Sequence, residues 1–302
     1  MSESALIVPA TADDVAHFAR RRWRDEHGRK LYADLANVAP SGVFVAKDEG
    51  TPIGIAIPHA LEDEWFLSEI FVEPSFQKRG IGWQLLSEAA KEAGDATRSG
   101  LLEPSELGGI AFFLRRGVSL QTPVVDVSGA IPHENELARM AAGDYRFQTE
   151  PLDPVNHRAA IGQLDREIRG SARPLDHLYF CENGRGFIFR RDEELAGYAY
   201  VWPSGRIGPV AAVSQTYLVQ FFAFALATLR QTFGATWCTA MVPGTNIRIM
   251  RAAMRAGLQE TESVRRLPSQ SSSAPTRRGR VRCPLHCIPT HHGRYAGVHT
   301  PR

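Results

Sequence analysis

Hydrophobic and polar positions in the first 130 residues follow a pattern that predicts a small domain of strands and helices. An apolar run that begins at Leu6 predicts a strand. Thr11 is the N-cap of a predicted helix whose first turn carries Asp13 and Asp14, where acidic side chains favour the helix dipole. The further predicted elements are a hairpin at 43–57, a strand at 65–72, a helix from about 81 to Gly94, a strand at 97–102, a helix at 110–117 and the last strands of the domain within 119–127.

The same order of elements recurs in the second half of the chain. It comprises a helix at 158–169, a hairpin at 186–201, a strand at 206–212, a helix at 217–233, a strand at 236–242 and a helix at 246–256 that ends before Gly257. This repetition indicates an internal duplication, so the sequence predicts two domains, at 1–128 and 144–266. Residues 129–143 contain Gly129, Pro132 and several polar positions and are predicted to be a linker.

The segment between the strand at 65–72 and the next helix carries the residues that indicate a ligand-binding site most specifically. Gly80 and Gly82 can adopt positive φ values and let another group approach the main chain closely, so they can direct several backbone N–H groups toward one point at a helix start. Lys78 and Arg79 add positive charge. We call residues 77–82 the glycine loop, and the pattern predicts that it binds an anion, although glycines at an ordinary strand-to-helix turn are the simpler alternative.

The order of these residues resembles a known coenzyme motif. Gln77-x-x-Gly80-x-Gly82 follows an apolar strand and Pro74 and precedes an amphipathic helix, which resembles the acetyl-CoA motif of the GCN5-related N-acetyltransferase (GNAT) family. The resemblance implies an α/β (α+β) fold with mixed, mostly antiparallel sheets flanked by helices, in two tandem GNAT-like domains of which the second is degenerate. It also implies that the glycine loop binds the coenzyme's pyrophosphate and that pantetheine pairs with the main chain of the preceding strand. The residues implied to bind the coenzyme are Ile70, Phe71, Val72, Gln77, Lys78, Arg79, Gly80, Ile81, Gly82 and Phe113.

The second half departs from this motif at the corresponding place. After the strand at 206–212 the chain has Val-Ser-Gln-Thr-Tyr at 213–217, without the two glycines or the basic residues, so we do not expect it to hold a pyrophosphate in the same way. Asn246 begins a later helix, as an asparagine does in the family. An N-cap role for Asn246 is favoured over a role as a coenzyme ligand.

A carboxylate near the acyl end of the coenzyme could accept the proton of an attacking amine, directly or through water. Glu69 is the candidate, and by the period of two it shares a strand face with Phe71. Glu73 and the neighbours Asp63 and Glu64 are nearby, and each of these carboxylates could instead simply face solvent.

The usual acid of the family is missing from this chain. The resemblance implies a tyrosine four residues before the glycine that ends the late helix, where it protonates the departing thiolate. Here Gly117 is that glycine and the position is Phe113, while Ala253 occupies the equivalent position before Gly257. Water or a group from the second domain would have to replace the tyrosine.

The sequence is compatible with two functions. The first is an N-acetyltransferase that moves an acetyl group from acetyl-CoA to a primary amine, of a small molecule or a protein, by direct attack. The second is a non-catalytic protein that binds or senses acetyl-CoA, which the absence of the tyrosine favours. A homodimer is compatible with either function, and no metal is expected.

Composition and charge indicate the number of domains, the cellular compartment and the kinds of partner. A chain of 302 residues with 43% hydrophobic and 23% charged residues fits two globular domains. The sequence has no long apolar run, no signal-peptide pattern at its start and four cysteines, which is too few for a disulfide framework, so we expect a cytoplasmic protein that does not associate with membranes. Residues 267–302 hold six arginines and no acidic residue, so the formal net charge of +2 becomes −4 for residues 1–266. The folded part therefore gives no reason to expect nucleic-acid binding.

The segment 267–302 has a different composition from the rest of the chain. It is rich in serine, proline and arginine without apolar periodicity, so we predict a disordered basic tail or the product of a coding-frame change near residue 266. Cys283, Cys287, His291 and His292 could be drawn as a zinc site, but incidental residues are favoured because the spacing matches no common zinc motif.

Overall fold

The computed structural model of the chain describes residues 5–22, 26–37, 42–62, 64–102, 107–120, 123–143, 145–260 and 298–299. The chain divides into two compact units between residues 120 and 121. Each unit contains a mixed sheet in which most neighbouring strands are antiparallel. Among the described helices, none is both long enough and apolar enough to span a membrane.

The first unit is built on a five-stranded sheet. Its elements are β1 (Leu6–Pro9), α1 (Ala12–Arg22), α2 (Glu26–Asn37), β2 (Phe44–Asp48), β3 (Thr51–Leu61), β4 (Glu64–Val72), α3 (Ile81–Ala89), β5 (Thr97–Gly100), α4 (Leu107–Leu114) and β6 (Ser119–Leu120). The strand order is β1-β2-β3-β4-β5, and β4 and β5 are parallel whereas the other pairs are antiparallel. Thr11 caps α1 as predicted, because its Oγ1 accepts a hydrogen bond from the Asp14 N–H at 3.3 Å.

Both faces of this sheet are covered by apolar side chains. Val15 and Phe18 of α1 pack against one face together with Ile55 and Ile57 of β3. The residues packed on the α3 face include Ala46, Ala56, Trp65, Leu67, Ile81, Leu85, Ala89 and Phe113. The sheet is therefore the middle layer of the unit.

The second unit is built on a seven-stranded sheet. Its elements are β7 (Val124–Ala130), α5 (Glu134–Ala141), β8 (Gln148–Pro151), α6 (Arg158–Arg169), α7 (Pro174–Asn183), β9 (Arg185–Arg191), β10 (Glu194–Val201), β11 (Arg206–Ala212), α8 (Leu218–Phe233), β12 (Trp237–Pro243), α9 (Ile247–Arg255) and β13 (Gln259–Glu260). The order is β13-β7-β12-β11-β10-β9-β8, with β11 and β12 parallel. The position of this parallel pair matches that of β4 and β5, as an internal duplication predicts.

The structure differs from the predicted domain boundary. The strand expected within 119–127 to close the first domain is β7, which pairs with β12 and β13 in the second sheet. The predicted linker 129–143 contains the end of β7 and α5, and Ile131 and Leu137 are buried in the core of the second unit. The sequence placed these residues wrongly because alternating polarity identifies a strand but not the sheet that it joins.

Several other elements were not predicted. They are α2, α7 and β8, and α3 ends at Ala89 with a separate 3₁₀ turn at Lys91–Ala93 before Gly94. Most of the tail, with Cys283, Cys287 and both histidines of the zinc alternative, lies outside the described residues. Within the tail that was predicted to be disordered, Val298 and His299 instead form a two-residue strand, β14, that pairs with β6.

Candidate active site

The glycine loop begins α3 with a backbone suited to anion binding. Gly80 is the N-cap of α3 at φ 85°, and Lys78 also has a positive φ of 64°. A Cβ atom at Gly80 would have no heavy atom within 4 Å, so the space beside the loop is open. The first N–H groups of a helix lack partners within it, and alternating right- and left-handed residues turn N–H groups into a common concavity. The backbone therefore has the geometry that the glycines predict for an anion site.

Two side chains of the loop hold its shape. Gln77 Nε2 donates a hydrogen bond to the carbonyl oxygen of Val72 at 2.9 Å, which ties the loop to the end of β4. Arg79 donates to the Ser75 carbonyl at 2.9 Å, and its guanidinium lies 5.0 Å from the centre of the Phe76 ring. Through these contacts Gln77 and Arg79 position the loop, a role that adds to the coenzyme binding predicted for them.

The strand that leads into the loop separates from its neighbour. The pairing of β4 with β5 runs from Glu64 to Leu67 and, within the described sheet, does not continue to Val72. The register between β3 and β4 shifts at Ser68, which is a β-bulge on β4. The side of β4 that faces β5 is therefore open to a ligand around Ile70, Phe71 and Val72.

The carboxylates on β4 and just after it have different environments. Glu69 is 2% exposed and lies opposite Ile57, on the face that also carries Phe71, as the period of two predicts. Glu73 forms an ion pair with Arg21, with an Nε–Oε1 distance of 2.7 Å. Glu64 accepts a hydrogen bond from Ser99 Oγ at 2.7 Å, and Asp63 lies outside the described residues. Glu69 therefore remains the candidate base.

In α4, the aromatic side chain beside the glycine loop is Phe112 and not Phe113, which the sequence predicted there. Phe113 is buried in the apolar core under the sheet, whereas Phe112 is the ring next to Gly82, 3.7 Å from the position of a Cβ atom there. The Arg116 guanidinium lies 3.9 Å from the centre of the Phe112 ring and 4.8 Å from that of Trp83. This cationic and aromatic surface beside the loop was not recognised in the sequence, although the Arg-Arg pair at 115–116 was its signal.

The first unit matches a known protein family. Residues 11–118 match the model of the Acetyltransferase (GNAT) family. This part of the chain is a GNAT domain. No curated protein sequence matches the chain.

Solved structures extend the GNAT fold to both units. A Pyrococcus horikoshii protein described as an acetyltransferase has a TM-score of 0.65 and 15% identity, over 86% of this chain and 87% of that one. A tandem GNAT protein from the clavulanic acid biosynthesis pathway has a TM-score of 0.55 and 17% identity, over 85% and 95% of the two chains. A GCN5-related N-acetyltransferase from Sphaerobacter thermophilus has a TM-score of 0.57 and 12% identity, over 86% and 94%. These likenesses show that the tandem GNAT fold predicted from the sequence is present.

The second GNAT-like unit lacks the features of the glycine loop. Between β11 and α8, Ser214 Oγ lies 2.8 Å from Thr216 Oγ1, and the Tyr217 hydroxyl accepts a hydrogen bond from Arg191 at 2.6 Å. Asn246 Oδ1 accepts a hydrogen bond from the Ile249 N–H at 3.4 Å, which confirms its predicted N-cap role. The gap between β11 and β12 holds an apolar pocket lined by residues such as Pro209, Leu218, Phe222, Val242 and Ile249.

A buried polar cluster lies on the other face of the second sheet. Asp165 of α6 accepts hydrogen bonds from Tyr198 at 2.6 Å, from His177 Nε2 at 2.9 Å and from Arg173 Nε at 3.2 Å. Arg173 also donates to the Tyr198 hydroxyl, and His177 Nδ1 lies 2.7 Å from the Tyr200 hydroxyl. Burial alone would raise the pKa of Asp165, but the Arg173 charge and these hydrogen bonds outweigh it and hold that pKa well below its ordinary range. We call these five residues the Asp165 cluster.

Proposed function

We propose that the protein transfers an acetyl group from acetyl-CoA to a primary amine. The observation that supports this most directly is the glycine loop, with left-handed Lys78 and Gly80 at the start of α3 and open space beside it. The free edge of β4 next to this loop is suited to an extended, amide-containing chain such as pantetheine. Because these features lie in the first unit, we propose one coenzyme site per chain.

The proposed reaction needs one base and one proton donor. The amine nitrogen attacks the thioester carbonyl carbon, the C–S bond breaks, and the products are an N-acetylated amine and the coenzyme thiol. Glu69 accepts the proton that the amine loses, directly or through water. Since Phe113 is buried and has no ionisable group, solvent supplies the proton to the departing thiolate.

The described cysteines are poor acyl carriers, which favours direct attack. Burial raises the pKa of the Cys238 thiol to about 12 and also raises that of Cys181. Both lie in the second unit, away from the glycine loop in the sequence. A thiol with a raised pKa is seldom a thiolate at neutral pH, so we propose a mechanism without an acetyl-enzyme.

Glu69→Gln should lower kcat by on the order of 10²-fold, because the amide cannot accept the amine proton. The acid limb of the pH–rate profile should also flatten, since that limb reports the base. Thiol release from acetyl-CoA with a panel of primary amines measures both effects. Glu88→Gln, at a partly exposed carboxylate of α3 that pairs with Lys91, is the matched control and should retain wild-type rates. Full activity of Glu69→Gln at every pH would exclude Glu69 as the base.

Phe113→Tyr should leave kcat unchanged and should lower the melting temperature. The added hydroxyl would lie in an apolar core, where an unsatisfied polar group costs about 1–3 kcal/mol. Differential scanning calorimetry and the thiol-release assay test the two parts. A clear rise in kcat would instead show that the tyrosine side chain reaches the thiolate.

A non-catalytic acetyl-CoA-binding protein is the second candidate, because the position of the usual tyrosine is a buried phenylalanine. The two candidates differ in turnover. Acetyl-CoA binding with no amine-dependent thiol release across the panel would favour the sensor.

A further inference from the structure

His59 of β3 has an unusual environment for a buried histidine. It is 7% exposed, and its buried Nε2 atom has no hydrogen-bond partner among the described residues. Buried polar atoms in proteins nearly always have a partner, so an orphaned one needs an explanation. Burial lowers the pKa of His59 to about 4, and the imidazole is therefore neutral at neutral pH.

The strand register places His59 on the same face of the sheet as Glu69. Ile57 lies directly opposite Glu69, and His59 follows Ile57 by two positions on β3, so both side chains project to one side. His59 itself lies opposite Phe66. Glu64 precedes Phe66 by two positions and therefore joins the same face. Along β4, His59 thus lies between two buried carboxylates.

The chemistry of this face fits an amine substrate. Two carboxylates favour a cationic or amine nitrogen, and a neutral imidazole between them adds no opposing charge. The strand side chains on this face nearest Glu69 in the register are Ile57, Phe66 and Phe71, which offer apolar surface, and Tyr32 of α2 belongs to the same apolar cluster as Ile57 and Phe71. A ligand with several hydroxyl groups would leave them unpaired here, whereas an alkyl or arylalkyl chain would not.

We propose that His59 binds the acceptor, with Nε2 accepting a hydrogen bond from the amino group of a primary monoamine on an apolar carbon skeleton and holding it beside Glu69. This requires the tautomer that carries its proton on Nδ1. The inference rests on the proposed function, because it names the acceptor class of the same site. It also accounts for a buried Nε2 atom that has no hydrogen-bond partner in the part of the chain that the structure describes.

A structural role and an acceptor-binding role predict different results for His59→Leu. Leucine removes an unsatisfied buried polar atom, so its stability should equal or exceed that of the wild type. The lost hydrogen bond should weaken amine binding by about tenfold or more. His59→Gln retains an acceptor atom and should recover part of the affinity. His133→Leu, at an exposed histidine, is the matched control.

The test is calorimetry of 2-phenylethylamine, hexylamine and glucosamine with full-length protein saturated with coenzyme A. We expect the first two amines to bind the wild type and the His133→Leu control, to bind His59→Leu at least about tenfold more weakly and to bind His59→Gln at an intermediate affinity. The affinity for coenzyme A should be unchanged in every variant, which shows that the fold is intact.

Three results would overturn the inference: wild-type protein that binds neither apolar amine, glucosamine binding as tightly as they do, or His59→Leu with wild-type amine affinity. A parallel thiol-release assay separates this inference from the proposed function. Amine binding that depends on His59 without thiol release would refute the transferase and leave the acceptor site standing.

Discussion

Gly82→Glu should weaken acetyl-CoA binding by on the order of 10³-fold, because it places a carboxylate where the helix start and the glycine loop would meet the pyrophosphate, and like charges in contact cost several kcal/mol. The folded protein should tolerate the change. A Cβ atom at this position would lie 3.7 Å from Phe112 and 3.8 Å from Val72, which is ordinary van der Waals contact. An acidic side chain in the first turn also favours the helix dipole. The loss should therefore appear in binding and not in stability.

The matched control for Gly82→Glu is Gln215→Glu, which puts the same side chain into the corresponding segment of the second unit. Calorimetry should give one acetyl-CoA per chain for the wild type and for Gln215→Glu, with equal affinities. Two equivalent sites in the wild type, or unchanged binding in Gly82→Glu, would contradict the assignment of the site to the glycine loop.

Asp165→Ala should destabilise the second unit by about 3–5 kcal/mol, because it removes one partner of a buried ion pair. Arg173 is 0% exposed and Asp165 is 1% exposed, so solvent cannot replace the carboxylate. The folded-state pKa of Asp165 is lower than its ordinary value of 3.8, so its stabilising effect is complete above that pH and is lost as the pH falls. The destabilisation should therefore persist at pH 7.

Hydrogen exchange measured by mass spectrometry can distinguish the effect of Asp165→Ala on the second unit from its effect on the first. Peptides from α6, α7 and β10 should lose protection in Asp165→Ala, while peptides from β3 and β4 should not. Glu167→Ala, on the exposed side of α6, is the control and should shift stability by less than about 0.5 kcal/mol. Equal loss of protection in both units, or none in either, would contradict an effect local to the Asp165 cluster.

Local sequence signals identified most of the elements and the glycine loop. Thr11 and Asn246 were recognised as helix caps because their side chains bond to nearby main-chain N–H groups, which depends on a few neighbouring residues. The hairpin turns were found for a similar reason, and the second contains Asp192 and Glu193 at positive φ. The duplication followed from the repeated order of such local signals.

Features that depend on distant residues could not be predicted in the same way. Asp165 and His177 lie on helices and Arg173 directly precedes α7, and from the sequence such charged or polar residues are typically exposed to solvent. Their burial depends on Tyr198 and Tyr200, which come from a strand that follows them in the chain. Phe112 and Phe113 illustrate a smaller error, because a difference of one residue turns a side chain by about 100° around a helix.

The position of β7 has a consequence for how the chain folds during synthesis. Val127 pairs with Ala240, whereas the strands of the first sheet end at Gly100. The first sheet can thus form early. Both edges of β7 remain unpaired until the ribosome has synthesised β12. Unpaired strand edges in partly folded chains favour aggregation. A ribosome stalled after residue 200 should therefore carry a folded first sheet and an unprotected β7, and this interval is the stage at which the nascent protein should depend most on chaperones.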